Sequence, residues 1–410
     1  MRRTILSALC LLAAAVVRGQ QPTPGAAVRA DGRAVNTRAA VQLLLETRKP
    51  ALAFDPGFSP EEFNRWKRDV SRAVTALMQH PAAGEDPAPQ LLSDEERDGY
   101  RLQKWECYPL AGCAVRFLVL IPGGVSAAAP APAVLCIPGS GQTKELMAGE
   151  PELAPAFELP AAEKRNDMAR QFGRAGMVAV AVDNPCTGET ADLEWVSPKY
   201  RGYDYDDASR VLLELGWSYQ GYASFIDRYV LEWMKRQPAV RHDRIVVSGF
   251  SLGTETLMIL GALDREIYDF VYNDFLCRTR ERALAMTLPG NDGRRHFPNS
   301  IRHLIPGMLT QFDFPDLVAA LAPRPVICTE GGMDRDFRLV ERAYAIAGNP
   351  SGCRCLHQPR FADPAVRHDV DSIPYGISRD DFFRLANVDP KNHYFKGETI
   401  VPWVKDLVVR

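Results

Sequence analysis

Arg244-Ile-Val-Val-Ser-Gly249-Phe-Ser251-Leu-Gly253 is the stretch whose reading decides the fold. A β-branched apolar run leads directly into Gly-x-Ser-x-Gly, and Leu252 to Leu263 then carries apolar residues at helical spacing. Strand, sharp turn and helix in that order lift a serine hydroxyl clear of the strand end and aim a helix N-terminus at it. Glycines on both sides let neighbouring backbone pass closely. The five residues alone would fit an ordinary tight turn. The strand before them and the helix after them make Ser251 a candidate nucleophile.

A serine hydroxyl reacts poorly near neutral pH, so it needs a histidine base and a carboxylate that orients the base. After such a turn the two follow in the order acid, then histidine. Pro325-Val-Ile-Cys-Thr-Glu330-Gly-Gly-Met-Asp334 is an apolar strand ending in a glycine-broken loop, and Asp334 is the expected acid, with Asp336 and Glu330 as near rivals. The alternative for Asp334 is to cap the helix that starts near Phe337. Of the seven histidines, His80 and His242 precede the nucleophile, His296 and His303 precede the acid, and His357 ends a possible last strand. His368 falls in an insertion. Chain order and a loop position before the final helical stretch favour His393.

The tetrahedral oxyanion needs two preorganised amides. Ala133 to Gln142 is a strand ending in a glycine-rich loop, so one donor is expected from Gly139, Ser140 or Gly141 and the other from Leu252. Asp183 and Asn184 end the next apolar run and are expected to line the cleft. Trp217, with Tyr219 and Tyr222, forms an aromatic cluster suited to a sugar platform or to core packing. Glu255, one turn beyond Ser251, reads as structural.

Working outward, short apolar runs at 133–137, 177–182, 245–248, 270–272 and 325–329 alternate with helical stretches at 164–175, 219–236, 252–263 and 337–347. Runs such as Val-Ala-Val-Ala-Val are continuous, as strands covered on both faces must be. The fold class is α/β, with a mainly parallel central sheet flanked by helices. An antiparallel hairpin is expected over 102–121. The expected organisation is a signal peptide at 1–19, a flexible N-terminus at 20–36, a helical extension at 37–94 and the catalytic domain at 95–410. Residues 277–312 and 359–390 read as insertions over the ligand-binding edge of the sheet.

The leader rests on a basic Met-Arg-Arg start, an apolar run to Val17 and small residues for cleavage, which imply a secreted or periplasmic protein. The run is shorter than the roughly 20 residues a membrane span needs, so no membrane attachment is expected after cleavage. A formal net charge of −2 leaves no electrostatic footprint for nucleic acid. A small molecule or a polysaccharide ester is the expected partner. The nine cysteines are too sparse for a disulfide scaffold, although Cys107 and Cys113 flank a turn and could staple a hairpin. No metal and no cofactor are expected.

The Pro-Gly-Ser-Gly loop, Val182-Asp183-Asn184-Pro185 with Gly188, the Gly-Phe-Ser-Leu-Gly elbow, Thr329-Glu-Gly-Gly-Met-Asp-Arg-Asp and Asn392-His393-Tyr394 together resemble secreted bacterial α/β-hydrolases of the acetyl xylan esterase and dienelactone hydrolase-like family. The resemblance spans about residues 95–410. It implies an α/β-hydrolase fold, a triad of Ser251, Asp334 and His393, and removal of acetyl groups from plant polysaccharide. Pro138 stands where a His-Gly oxyanion motif would have its histidine. Two rival functions share the fold: a prolyl-oligopeptidase-like peptidase, for which no propeller repeats are present, and a carbohydrate-binding homologue without turnover.

Overall fold

The computed structural model describes residues 28–29, 31–82, 88–153, 165–192, 203–286, 288, 293 and 300–409. The expected leader at 1–19, part of the N-terminus at 20–36 and His296 lie outside them. Two compact units divide the chain between Pro50 and Ala51. The first holds helix α1 (Thr37–Thr47), which opens on Asn36 accepting from the Ala39 amide and buries none of its residues.

The second unit holds nine strands: β1 (Gln90–Arg97), β2 (Tyr100–Leu110), β3 (Cys113–Pro122), β4 (Ala131–Ile137), β5 (Val178–Ala181), β6 (Val240–Phe250), β7 (Asp269–Asn273), β8 (Val326–Cys328) and β9 (Cys353–Cys355). Its helices are α2 (Pro60–Met78), α3 (Lys144–Ala148), α4 (Met168–Arg174), α5 (Tyr205–Glu214), α6 (Tyr219–Lys235), α7 (Gly253–Leu263), α8 (Thr279–Ala285), α9 (Met308–Gln311), α10 (Phe314–Ala319), α11 (Asp334–Ile346), α12 (Arg379–Leu385) and α13 (Gly397–Val409).

The strands form one sheet in the order β1-β2-β3-β5-β4-β6-β7-β8-β9. β1, β2 and β3 pair antiparallel, β3 meets β5 antiparallel, and every pairing from β5 to β9 is parallel. This is the α/β-hydrolase architecture. In β4, Ala133, Leu135 and Ile137 face one apolar cluster while Val134 and Cys136 face the other. Val178 and Val180 separate from Ala179 and Ala181 in the same way. A two-residue period inside a continuous apolar run fills both faces. One face packs on α2, α6, α7, α10 and α11; the other packs on α4 and on Ile400, Val404 and Val408 of α13.

Helix α2 belongs to this compact body. Ser59 and Glu62 form a reciprocal capping box, Pro60 takes the first helical position, and Phe63, Trp66, Val70, Val74 and Met78 make one buried stripe. The hairpin pairs Cys107 with Val115 and Leu110 with Cys113, so the two cysteines are not opposite one another and no disulfide joins them. No helix among the described residues is long and apolar enough to cross a membrane.

The chain leaves β4 to one side for β5 and then crosses to β6 on the other. Loops leaving the carboxyl ends of β4 and β6 therefore diverge around a crevice, the position where ligands bind in open α/β sheets. Ser251 begins the turn directly after β6.

Candidate active site

The turn after β6 is strained at its centre. Ser251 has φ +50°, a left-handed backbone that costs a non-glycine residue on the order of 1–3 kcal/mol. Its surroundings hold it there: the Ser251 amide donates to the Asn273 carbonyl at 3.0 Å, and its own carbonyl accepts from the Thr254 amide at 2.9 Å and hydroxyl at 2.7 Å. A Cβ on Gly249 would lie 2.5 Å from the Gly253 carbonyl, and one on Gly253 would lie 2.4 Å from the Ile137 carbonyl. Both elbow glycines are thus required by close backbone approach. Helix α7 is almost wholly buried, with a polar first turn followed by the apolar run Leu257 to Leu260, which anchors the turn in the core.

The loop after β4 lies against this elbow. A Cβ on Gly139 would meet the Phe250 ring at 2.8 Å and the Ser251 Cβ at 3.2 Å. Of the four expected oxyanion amides, two are already engaged. Gly139 donates to Gln142 Oε1 at 3.3 Å, and Gly141 donates to the Tyr205 hydroxyl at 2.9 Å. The amides of Ser140 and Leu252 have no partner among the described residues, and the Leu252 side chain is buried with Tyr219 and Ala223.

His393 stacks on Phe250, the neighbour of Ser251, with ring centroids 4.7 Å apart. Its Nδ1 lies 2.5 Å from Glu330 Oε2. Glu330 is buried, and its Oε1 accepts from Asn273 Nδ2 at 2.9 Å, Lys396 Nζ at 2.9 Å and the Tyr394 amide at 3.2 Å. Burial disfavours a charged imidazole, yet the Glu330 carboxylate outweighs it and holds His393 above its ordinary value of 6.5. The carboxylate also assigns the tautomer, with the proton on Nδ1 and the Nε2 lone pair available.

Asp334, the acid expected from sequence, has other partners in the structure. Asp334 opens α11, where Oδ1 receives His357 Nε2 at 2.7 Å and Arg367 Nη1 at 2.9 Å. Between the two carboxylates, Gly331 (φ +86°) and Gly332 (φ +145°) turn the chain away. They pass so close to the Asn387 and Leu276 carbonyls that a Cβ would sit 2.7 and 2.5 Å from them. The glycine pair thus separates Glu330, beside His393, from Asp334, beside His357. Asp336, the other rival, is buried against Arg278 at 2.8 Å.

The three expected cleft residues serve the scaffold. Asn184 is buried and donates to the carbonyls of Pro138 and Gly139 at 2.9 and 3.2 Å, pinning the loop after β4 from behind. Asp183 accepts from the Lys144 amide at 2.8 Å and ammonium at 2.7 Å. Burial raises the Asp183 carboxyl to about 6 despite that lysine. Trp217 donates Nε1 to the Met78 carbonyl at 2.7 Å and packs on Tyr222 and Phe225, so its cluster is core. Glu255 holds His303 Nδ1 at 2.7 Å and Gln220 Nε2 at 2.8 Å.

Two contributors were not singled out from sequence: Asn273, the last residue of β7, and Asp274, which follows it. Ligand atoms of Asp274, Glu330 and His393 lie within 4.8 Å of one another. That spacing would suit a metal ion, but the Lys396 ammonium already sits on Glu330.

A family model described as "Abhydrolase family" matches residues 21–406. A solved structure from Bacteroides fragilis, assigned provisionally as an acetyl xylan esterase, is 53% identical; the match covers 93% of this chain and 97% of that one, with a TM-score of 0.87. A methylesterase structure is 15% identical over 90% of this chain and 70% of its own, with a TM-score of 0.51, a likeness of fold. No curated protein matches.

Proposed function

The chain belongs to the Abhydrolase family, and on that premise we propose that it is a secreted serine esterase that removes acetyl groups from plant polysaccharide through Ser251, His393 and Glu330. The observation that carries the reading is the ring of His393. One side chain holds it from each direction: Glu330 bonds Nδ1, and Phe250 stacks on its face beside the strained Ser251. The acetyl specificity draws its support from the Bacteroides fragilis relative.

In the proposed reaction the Ser251 hydroxyl attacks the ester carbonyl while His393 Nε2 takes its proton. The amides of Ser140 and Leu252 receive the oxyanion, and Glu330 stabilises the imidazolium. Collapse expels the sugar alkoxide, to which His393 returns the proton. Water, deprotonated by the same nitrogen, then releases acetate and restores Ser251.

Ser251→Ala is the test, assayed on nitrophenyl acetate and on acetylated xylan, with circular dichroism to check folding. Loss of turnover on both substrates is expected. Residual activity of the variant within tenfold of wild type refutes the nucleophile, and a wild-type enzyme active on nitrophenyl acetate but not on acetylated xylan refutes the polysaccharide. Export rests on the leader at 1–19, and the N-terminus of secreted or periplasmic protein is expected near Gln20. Secreted material still beginning at Met1 would contradict it.

A further inference from the structure

His393 faces two carboxylates, and they differ in what else they hold. Glu330 is fully engaged, and the Lys396 ammonium lies 2.9 Å from its Oε1, so its charge is compensated where it stands. Asp274, at the end of β7, accepts the amide of Phe275 at 2.8 Å and has no ion pair among the described residues. The Arg282 guanidinium, over the Phe275 ring at 5.6 Å, acts on it from farther away. An oxygen of Asp274 nevertheless lies within 4.8 Å of a His393 ring nitrogen and of the Glu330 carboxylate.

The local charge count follows. With His393 neutral, Glu330, Lys396 and Asp274 together carry one net negative charge; once the imidazole is protonated the four groups sum to zero. The Glu330–Lys396 pair is balanced in both states. Glu330 remains the larger influence on the imidazolium, and Asp274, with no ammonium beside it, adds a second negative charge that is weakly screened in a half-buried site.

We propose that Asp274 is a positioning residue for the esterase reaction: Glu330 sets the direction and tautomer of the His393 ring and is the main support of its charge, while Asp274 adds a second negative charge that further stabilises the protonated form. This rests on the reading of Ser251, His393 and Glu330 given above. Burial raises the Asp274 carboxyl to about 6, with His393 opposing the rise and Glu330 adding to it.

The decisive measurement is the NMR titration of the His393 ring in the full-length Ser251→Ala protein, which reads the proton without turnover. Asp274→Asn should move the His393 midpoint to lower pH, and Lys396→Met should move it to higher pH. In the otherwise wild-type enzyme Asp274→Asn should lower kcat about tenfold or more, with KM little changed. Asp274→Glu, which keeps the charge, should restore the wild-type titration, and it also controls for misfolding of the Asn variant. An unmoved midpoint in Asp274→Asn, shifts of the same sign in the Asn and Met variants, or a Glu variant that behaves like Asn would overturn the proposal. Should Ser251→Ala and Glu330→Gln abolish turnover while Asp274→Asn leaves the midpoint in place, the triad stands and Asp274 drops out. Turnover retained by Ser251→Ala would instead remove the triad itself.

Discussion

Replacing Glu330 by glutamine, beside the matching Asp334→Asn, separates the two carboxylates that could serve His393. Glu330 accepts from Nδ1 at 2.5 Å, and it is held there by three donors on its other oxygen. A glutamine in that place keeps the shape but presents an amide. Where its NH₂ faces Nδ1, the imidazole must carry its proton on Nε2, the nitrogen that has to accept from Ser251. By that tautomer error turnover should fall by up to about 10⁴-fold, or about 5.4 kcal/mol of transition-state stabilisation. A second signature comes from pH. The base works only when neutral, so wild-type kcat/KM should decline as pH falls through a His393 value lying above 6.5. Glu330→Gln removes the largest cause of that rise, so the declining limb should move to lower pH as the plateau drops. Asp334→Asn weakens contacts to His357 and Arg367 at the start of α11 and should cost about 1–3 kcal/mol of stability with turnover near wild type. Rate–pH profiles on nitrophenyl acetate, with thermal melts for each variant, read both effects. A larger loss of turnover in Asp334→Asn than in Glu330→Gln would refute the assignment.

Three other substitutions probe the scaffold around the site. Asn184→Ala frees the Pro138 and Gly139 carbonyls and should lower kcat by roughly 10–100-fold through the loosened oxyanion loop, with KM nearly constant; an unchanged kcat would count against the loop's role. Gly253→Ala drives a Cβ into the Ile137 carbonyl and should destabilise the protein by about 1–3 kcal/mol, which a denaturant titration would detect. Trp217→Phe loses the bond to Met78 and should cost about 1 kcal/mol with no change in KM for acetylated oligosaccharides; a raised KM would return Trp217 to the cleft.

Local sequence determined the elements. The apolar runs at 133–137 and 245–248 became β4 and β6, the spacing at 219–236 became α6, and the Gly-Phe-Ser-Leu-Gly elbow turned where its glycines allowed. These outcomes are set by neighbours in the chain: side-chain period, backbone freedom and capping act over a few residues. Chain order likewise brought His393 into consideration and placed an acid somewhere after β8. Which acid was a different matter. Glu330 and Asp334 share one loop, and nothing within it discriminates between them; in the fold it is Glu330 that lies beside His393, and the Asn387 and Leu276 carbonyls crowd the glycine pair that separates it from Asp334. The same holds for the amides expected at the oxyanion, since that of Gly141 is engaged by Tyr205, 64 residues distant in sequence. Asn184 and Trp217 carry the chemistry of ligand contacts, but tertiary packing turned both inward to satisfy backbone carbonyls. A one-dimensional pattern specifies what a residue can donate or accept. Only the folded chain decides which partner stands within 3 Å of it.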